Sequence, residues 1–232
     1  MNGYLLIDKP LNWTSFDVVN KIRHIIQDSG LNTTNKKRFP VGHAGTLDPL
    51  ATGLMIVMLG DYTKKAEEFT KLDKTYQVTA SLGQTSTTGD EEGEKTTVSS
   101  VEPPKNAVMA ALEQFKGEIS QVPPIYSAVK IDGKRAYKIA RDGKVPEMKS
   151  RLVKIYEITD VEYKYPELSF TVAVSSGTYI RSLVQDIGEV LKTGAYTSQL
   201  RRTKISDFDI KEALPVDRLS SESIYQSLQV SN

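Results

Sequence analysis

Asp48 stands in the stretch Val41-Gly42-His43-Ala44-Gly45-Thr46-Leu47-Asp48-Pro49-Leu50-Ala51-Thr52-Gly53, between a glycine-punctuated turn and the apolar run Leu54–Leu59. A carboxylate placed there would sit at the mouth of a buried strand, held by flanking backbone, where it can act as a nucleophile or a general base. Gly42, Gly45 and Gly53 let the chain turn sharply or approach a ligand closely, and Pro49 fixes the geometry just after the acid. The same residues also suit an ordinary turn, because Asp-Pro starts turns and Asp caps its neighbours' backbone. On spacing alone the ordinary turn is the better reading.

The composition narrows what chemistry is open. Cysteine is absent, which excludes disulfides, thiolate nucleophiles and cysteine-bound zinc. His24 and His43 are too few for a histidine-rich metal site, so no metal is expected. No phosphate-cradling glycine loop of the P-loop kind is present. The longest apolar run is Leu54–Leu59, far short of a membrane span. The opening MNGYLLIDKP lacks a basic segment and a cleavable apolar stretch, so the expectation is a cytoplasmic enzyme.

Net charge is only +1, yet it is unevenly spread. Gln121 to Ile155 holds nine Lys/Arg against three Asp/Glu, and Asn20 to Arg38 holds five against one. Arg201, Arg202 and Lys204 form a third basic group, while acid gathers in Asp90-Glu91-Glu92-Gly93-Glu94. Segregation of this kind fits one polyanion-binding face, although any single patch can simply be solvated surface.

The elements that would position these residues follow from periodicity. Tyr4–Ile7 reads as a short buried strand. Thr14 or Ser15 can cap a helix with Phe16, Val19, Ile22 and Ile26 on its apolar face, and Ser29–Lys37 reads as a polar loop. The glycine-rich turn containing His43 and Asp48 leads into the Leu54–Leu59 strand, followed by a helix through Lys64–Lys71. Tyr76, Val78, Ala80 and Leu82 alternate on a half-buried strand. Gly83–Pro104 reads as a long surface loop, and Val108, Leu112 and Phe115 stripe the next helix. Tyr126–Ile131 with Asp132-Gly133 predicts a strand and tight turn, and Ala136–Asp142 a short helix closed by Gly143. Strands near Leu152–Tyr163 and Leu168–Ser175 precede a helix over Tyr179–Lys192, then an extended Thr197–Ile210. These elements predict one α+β domain around a mixed sheet.

The string GHAGTLDPLATG resembles the catalytic motif of the bacterial tRNA pseudouridine-55 synthases, the TruB family. Other motifs resemble the family in the same order: Ile7-Asp8-Lys9-Pro10 with Thr14-Ser15; Lys74-Thr75-Tyr76; Val122-Pro123-Pro124-Ile125-Tyr126-Ser127-Ala128; Ser175 to Leu183; and Leu200-Arg201-Arg202-Thr203. The resemblance runs from Met1 to about Leu219. It implies a pseudouridine-synthase-like α+β catalytic domain over 1–232, with a central mixed, largely antiparallel sheet flanked by helices. It also implies a basic RNA-gripping insertion at about 121–155. Many relatives continue into a C-terminal RNA-binding PUA domain, and as a departure from them no separate PUA domain is expected within 1–232. Asn12 replaces a glycine common in relatives, and Asn tolerates a left-handed backbone.

The implied activity is isomerisation of uridine to pseudouridine in the T-arm loop of tRNA, at position 55, on a flipped-out nucleotide and with no cofactor. The resemblance makes Asp48 the catalytic residue and Arg181 its cationic partner. Tyr76 would offer an aromatic face to the base, with Tyr179 and Lys64 as active-site support. His43 would hold the flipped nucleotide and Leu200 would pack against it. Lys130, Lys134, Arg135, Lys138 and Arg141 would meet phosphates, which position RNA without reading its sequence. Without the family, Tyr76 and Leu200 would be core residues, and Lys64 a solvated helix lysine. His43 would be a turn residue, and Arg181 a surface arginine unfavourably placed at a positive helix end.

The expected partner is tRNA, with no membrane, guide RNA or obligate protein partner. Three other readings stand beside this one: a guide-RNA-dependent relative of the dyskerin type, an RNA-folding chaperone, and a metal-dependent hydrolase around Asp48. The last lacks a convincing ligand set.

Overall fold

A computed structural model describes residues 1–30, 38–127, 129–131 and 133–230, without the side chain of Arg141. Most of the Ser29–Lys37 loop, Ala128, Asp132 of the expected tight turn, and the Arg141 side chain therefore lie outside the described residues. In chain order the elements are β1 (Gly3–Lys9), α1 (Ser15–Asp28), β2 (Val41–Ala44), β3 (Ala51–Leu59), α2 (Ala66–Thr70), β4 (Lys74–Leu82), β5 (Gln84–Ser86) and β6 (Lys95–Thr97). There follow α3 (Lys105–Glu113), β7 (Gly117–Gln121), β8 (Lys130–Ile131), β9 (Lys134–Arg135), α4 (Ala136–Arg141), β10 (Arg151–Lys164) and β11 (Glu167–Val174). The last are α5 (Ile180–Val190), β12 (Ala195–Ile205), β13 (Phe208–Asp209), β14 (Leu214–Pro215) and α6 (Ser221–Gln226). The chain divides into two compact units, Met1–Tyr76 with Arg201–Asn232, and Gln77–Leu200.

In the first unit β1 lies antiparallel to β3 with Tyr4 opposite Met58 and Ile7 opposite Met55. β14 pairs parallel to β1, and β2 antiparallel to β3. Leu6, Leu54, Ile56 and Met58 join Tyr4, Tyr62 and Phe69 in one core cluster. The alternate residues Leu5, Ile7, Met55, Val57 and Leu59 are also fully buried, so both faces of these two strands are covered and the sequence reads as a continuous apolar run. α1 starts in a Thr14–Asp17 capping box, as the sequence suggests. Its buried side is Ser15, Val18, Val19, Ile22 and Ile26. Phe16 is 61% exposed, which corrects its place on the apolar face.

In the second unit β10 lies antiparallel to both β11 and β7. Alternation buries Val78, Ala80 and Leu82 of β4, and Leu168, Phe170, Val172 and Val174 of β11. α5 buries Ile180, Leu183, Val184 and Ile187, and α3 buries Val108, Ala111 and Leu112. Each unit is thus α+β, with mostly antiparallel strands and helices beside them.

Four local expectations change. His43 belongs to strand β2 rather than a turn, paired with Val57. The Lys64–Lys71 helix is a 3-10 turn over Gly60–Lys65 followed by the short α2. Gly83–Pro104 contains the β5–β6 hairpin. The Tyr126–Ile131 strand shrinks to Lys130–Ile131.

Candidate active site

Asp48 sits between the end of β2 and the start of β3, half-buried, with its carbonyl accepting from Ala51 N at 3.0 Å. The residue before it is latched from both sides: Ser15 Oγ donates to Leu47 O at 2.9 Å and accepts from Leu47 N at 2.8 Å. The residue after it is held too. Pro49 O accepts from Asn12 N at 2.9 Å and from Lys9 Nζ at 3.3 Å. Asn12 makes that reach with a φ of 64°, the left-handed backbone that asparagine tolerates. Lys9-Pro10 and Thr14-Ser15 are therefore the supports of the carboxylate's turn.

Lys9 is fully buried, and its ammonium also donates to Pro10 O at 3.0 Å and Trp13 O at 2.6 Å. Burial pushes its pKa down to about 8; the charge of Asp48 works against that fall and Arg202 adds to it. Lys74 behaves alike. Burial, with Arg202 repulsion, brings it to about 8, while Nζ donates to Thr70 O at 2.6 Å and to Leu72 O. Those two bonds fix the chain entering β4, where Tyr76 is 9% exposed and shares the buried face with Lys74 and Val78.

The second unit builds a separate constellation at the start of α5. Arg181 is 7% exposed. Its Nη1 donates to Thr88 O at 2.9 Å and its Nη2 to Tyr126 O at 2.8 Å. Asp90 Oδ2 lies 3.3 Å from Nη1. A buried guanidinium at a helix N-terminus is doubly unfavourable unless its donors and charge are met, and these three oxygens meet them. Tyr179, just before the helix, is pinned by the Gln121 amide: Tyr179 N donates to Oε1 at 2.8 Å, and Nε2 donates to Tyr179 O at 3.0 Å. The Arg151 guanidinium lies 4.7 Å from the Tyr179 ring centre, in cation–π range.

Other expected site residues are placed less pointedly. His43 lies on β2, close along the chain to Asp48. Lys64 is a surface lysine paired with Asp61 at 2.7 Å, both well exposed. Leu200 is half-buried on β12. Lys130, Lys134, Arg135 and Lys138 are exposed, the first three on the β8–β9 ladder, where Lys130 stands directly opposite Arg135. Like charges opposite one another destabilise a hairpin.

Sequence reasoning missed Asp90, Gln121 and the buried partners Lys9 and Arg202. Asp90 was hidden in the run Asp90 to Glu94, whose Glu91 and Glu92 are exposed while Asp90 is 13% exposed at its side chain. Its pairing with Arg181 sets it apart, as do the bonds its Oδ1 accepts from Thr88 Oγ1 and Glu92 N. Among the described residues no group of three or more His, Cys, Asp or Glu is placed to hold a metal, and no helix is long and apolar enough to cross a membrane.

The TruB family pseudouridylate synthase N-terminal domain matches residues 32–180, and the tRNA pseudouridylate synthase B C-terminal domain matches residues 181–229. The tRNA pseudouridine synthase B of Phocaeicola vulgatus is 46% identical over 92% of this chain and 89% of its own. That of Bacteroides fragilis is 42% identical over 98% and 97%. Among solved structures, a Cbf5-Nop10-Gar1 complex matches at a TM-score of 0.72 and 28% identity, covering 96% of this chain and 55% of that one. The chain belongs to the TruB family of pseudouridylate synthases.

Proposed function

We propose that this chain isomerises uridine to pseudouridine in the T-arm loop of tRNA, at position 55, as a stand-alone cytoplasmic enzyme with a single catalytic domain and no cofactor. The observation that carries the reading is the turn of Asp48, fixed at Leu47 by Ser15 and at Pro49 by Asn12 and Lys9, in a chain of this family. The reaction breaks the bond from N1 to C1′, turns the base, and joins C5 to C1′. N1 gains a proton and C5 loses one, so the balance needs no oxidant and no leaving group. Asp48 supplies the carboxylate, as nucleophile or as base.

The remaining roles are those the family resemblance implies. Arg181, paired with Asp90, is assigned by the resemblance as the cationic partner of Asp48. Tyr76 presents its ring to the flipped base, with Tyr179, His43, Leu200 and Lys64 around the nucleotide. Extruding a stacked uridine costs free energy that contacts elsewhere must offset. The exposed cations of β8, β9 and α4 are suited to make those contacts with phosphates.

Tyr76→Leu is expected to lower the isomerisation rate by roughly a hundredfold or more and stability by about 1–3 kcal/mol, since it removes ring face and hydroxyl from a largely buried position. Rate constants on protein shown to be folded decide it; an ordinary rate makes Tyr76 structural. Neutralising Lys130, Lys134, Arg135 and Lys138 together is expected to weaken tRNA binding and flatten its salt dependence, by at most about 0.9 in log–log slope per lost phosphate contact. An unchanged slope would remove the insertion from the interface.

Purified protein mixed with an isolated T-arm stem-loop, excess chelator and no guide RNA tests the function. One modified uridine in the loop is expected. Success on whole tRNA alone would extend recognition beyond the T-arm. Failure of folded protein on both RNAs would favour the guide-dependent or chaperone reading.

A further inference from the structure

Arg202 is 1% exposed, among the most deeply buried large side chains of the protein. Its Nε donates to Leu54 O at 2.7 Å and its Nη2 to Gly45 O at 3.2 Å. Gly45 lies just before Asp48 and Leu54 just after the start of β3, so one planar fork spans the two strands where they flank the Asp48 turn. Ser15, Asn12 and Lys9 fix the tip of that turn, and Arg202 ties its base.

The glycines of the motif make room for this tie. A Cβ on Gly53, at φ +107°, would stand 2.2 Å from Arg202 O and 2.8 Å from its N. A Cβ on Gly45, at φ +86°, would come within 3.6 Å of Nη1. Any side chain at 53 would push β12 off β3 and carry the guanidinium with it. Packing alone does not call for a charged group here. A buried cation gives up its hydration, and a well-packed apolar residue of similar volume commonly serves stability as well or better. What an apolar residue cannot do is hold two separate carbonyls; the planar guanidinium does so from two nitrogens set apart at a fixed spacing, whereas a lysine ammonium would have to reach both from one nitrogen.

We infer that Arg202 is a positioning residue for the reaction: its fork sets the spacing between Gly45 and Leu54 and thereby the placement of the Asp48 carboxylate. The inference rests on the reading of Asp48 as the reacting carboxylate. A displacement of the order of 1 Å at a reacting group costs roughly a hundredfold in rate. The effect therefore belongs to the chemical step rather than to RNA affinity.

Arg202→Lys keeps the charge and loses the fork. The expected result is a single-turnover rate lowered roughly 10- to 100-fold, with stem-loop affinity within about threefold of the parent. Gly45→Ala leaves only ordinary contact with Nη1 but strains the backbone at φ +86° that presents the Gly45 carbonyl to Nη2, and is expected to lower the rate with affinity retained. Ile26→Ala in α1 serves as a control for lost stability, and its rate per folded molecule is expected to match the parent. Asp48→Asn is run alongside. Activity in Asp48→Asn would overturn the reading of Asp48 itself. Inactivity there, with Arg202→Lys within about twofold of the parent, would overturn the role of Arg202 alone. So would a loss in Arg202→Lys that falls on affinity, or an equal loss in Ile26→Ala. Should Arg202→Lys not fold, a fully active Gly45→Ala overturns the inference by itself.

Discussion

Asp48→Asn is expected to bring isomerisation below detection while tRNA affinity stays within about threefold of the parent. The change is nearly isosteric, and several contacts that shape the turn run through backbone groups. Ser15 binds the backbone of Leu47, Asn12 and Lys9 bind the carbonyl of Pro49, and Ala51 binds the carbonyl of Asp48. The fold should therefore survive. An amide cannot take up a proton at neutral pH and is a poor nucleophile; an acid–base role alone is commonly worth about 10²–10⁴ in rate, and a lost nucleophile more. The substitution also removes the charge that works against the fall of the Lys9 pKa to about 8, so the Lys9 ammonium is held less firmly in the variant. Single-turnover pseudouridine formation, RNA binding and thermal melting on one preparation settle the matter. Turnover near the parent's by folded protein would remove Asp48 from the chemistry.

What could be seen in the sequence was what local pattern decides. The Thr14–Asp17 cap, the apolar β3 and the alternation of β4 are written into neighbouring residues. Phe16 shows where such pattern misleads. With about 100° per residue, Ser15, Val18, Val19 and Ile26 all fall within about 60° of Ile22 around the helix, whereas Phe16 falls about 120° away. Its size suggested the core and its angle put it in solvent. His43 was misread for another reason. Flanking glycine argues locally for a turn, and only the ladder to Val57 makes Val41–Ala44 a strand, a pairing no neighbouring residue announces.

The site divided along the same line. Asp48, Tyr76 and Arg181 were named through motif resemblance, yet nothing local said what holds them. Lys9 and Arg202 belong to residue types that are almost never fully buried, and their burial depends on carbonyls brought in from Trp13, Pro49, Gly45 and Leu54. Asp90 carries the same charge as its exposed glutamate neighbours. Long-range geometry, not residue type, distinguishes the partner of Arg181 from a solvated charge run.

Arg181→Lys is expected to lower the isomerisation rate on the order of a hundredfold and to destabilise the fold by about 1–3 kcal/mol. Lysine keeps the charge, but its single ammonium cannot reach Thr88 O, Tyr126 O and Asp90 together from the first turn of α5 in the way the fork does. At least one buried acceptor then loses its partner, which is the source of the stability cost. The loss of the bond to Tyr126, at the foot of the basic insertion, adds an effect the Asp48 variant lacks: RNA affinity should weaken as well as rate. Asp90→Asn removes the other half of the ion pair. If the two side chains act as one unit, the double variant should lose no more than the worse single one, because residues in one network are not additive. Independent losses that multiply would separate the pair. A folded Arg181→Lys with parental rate and affinity would leave the guanidinium only as a fastener between α5, Thr88 and Tyr126 and remove it from the proposed chemistry, with buried Lys9, whose charge interacts with Asp48, the next group to test.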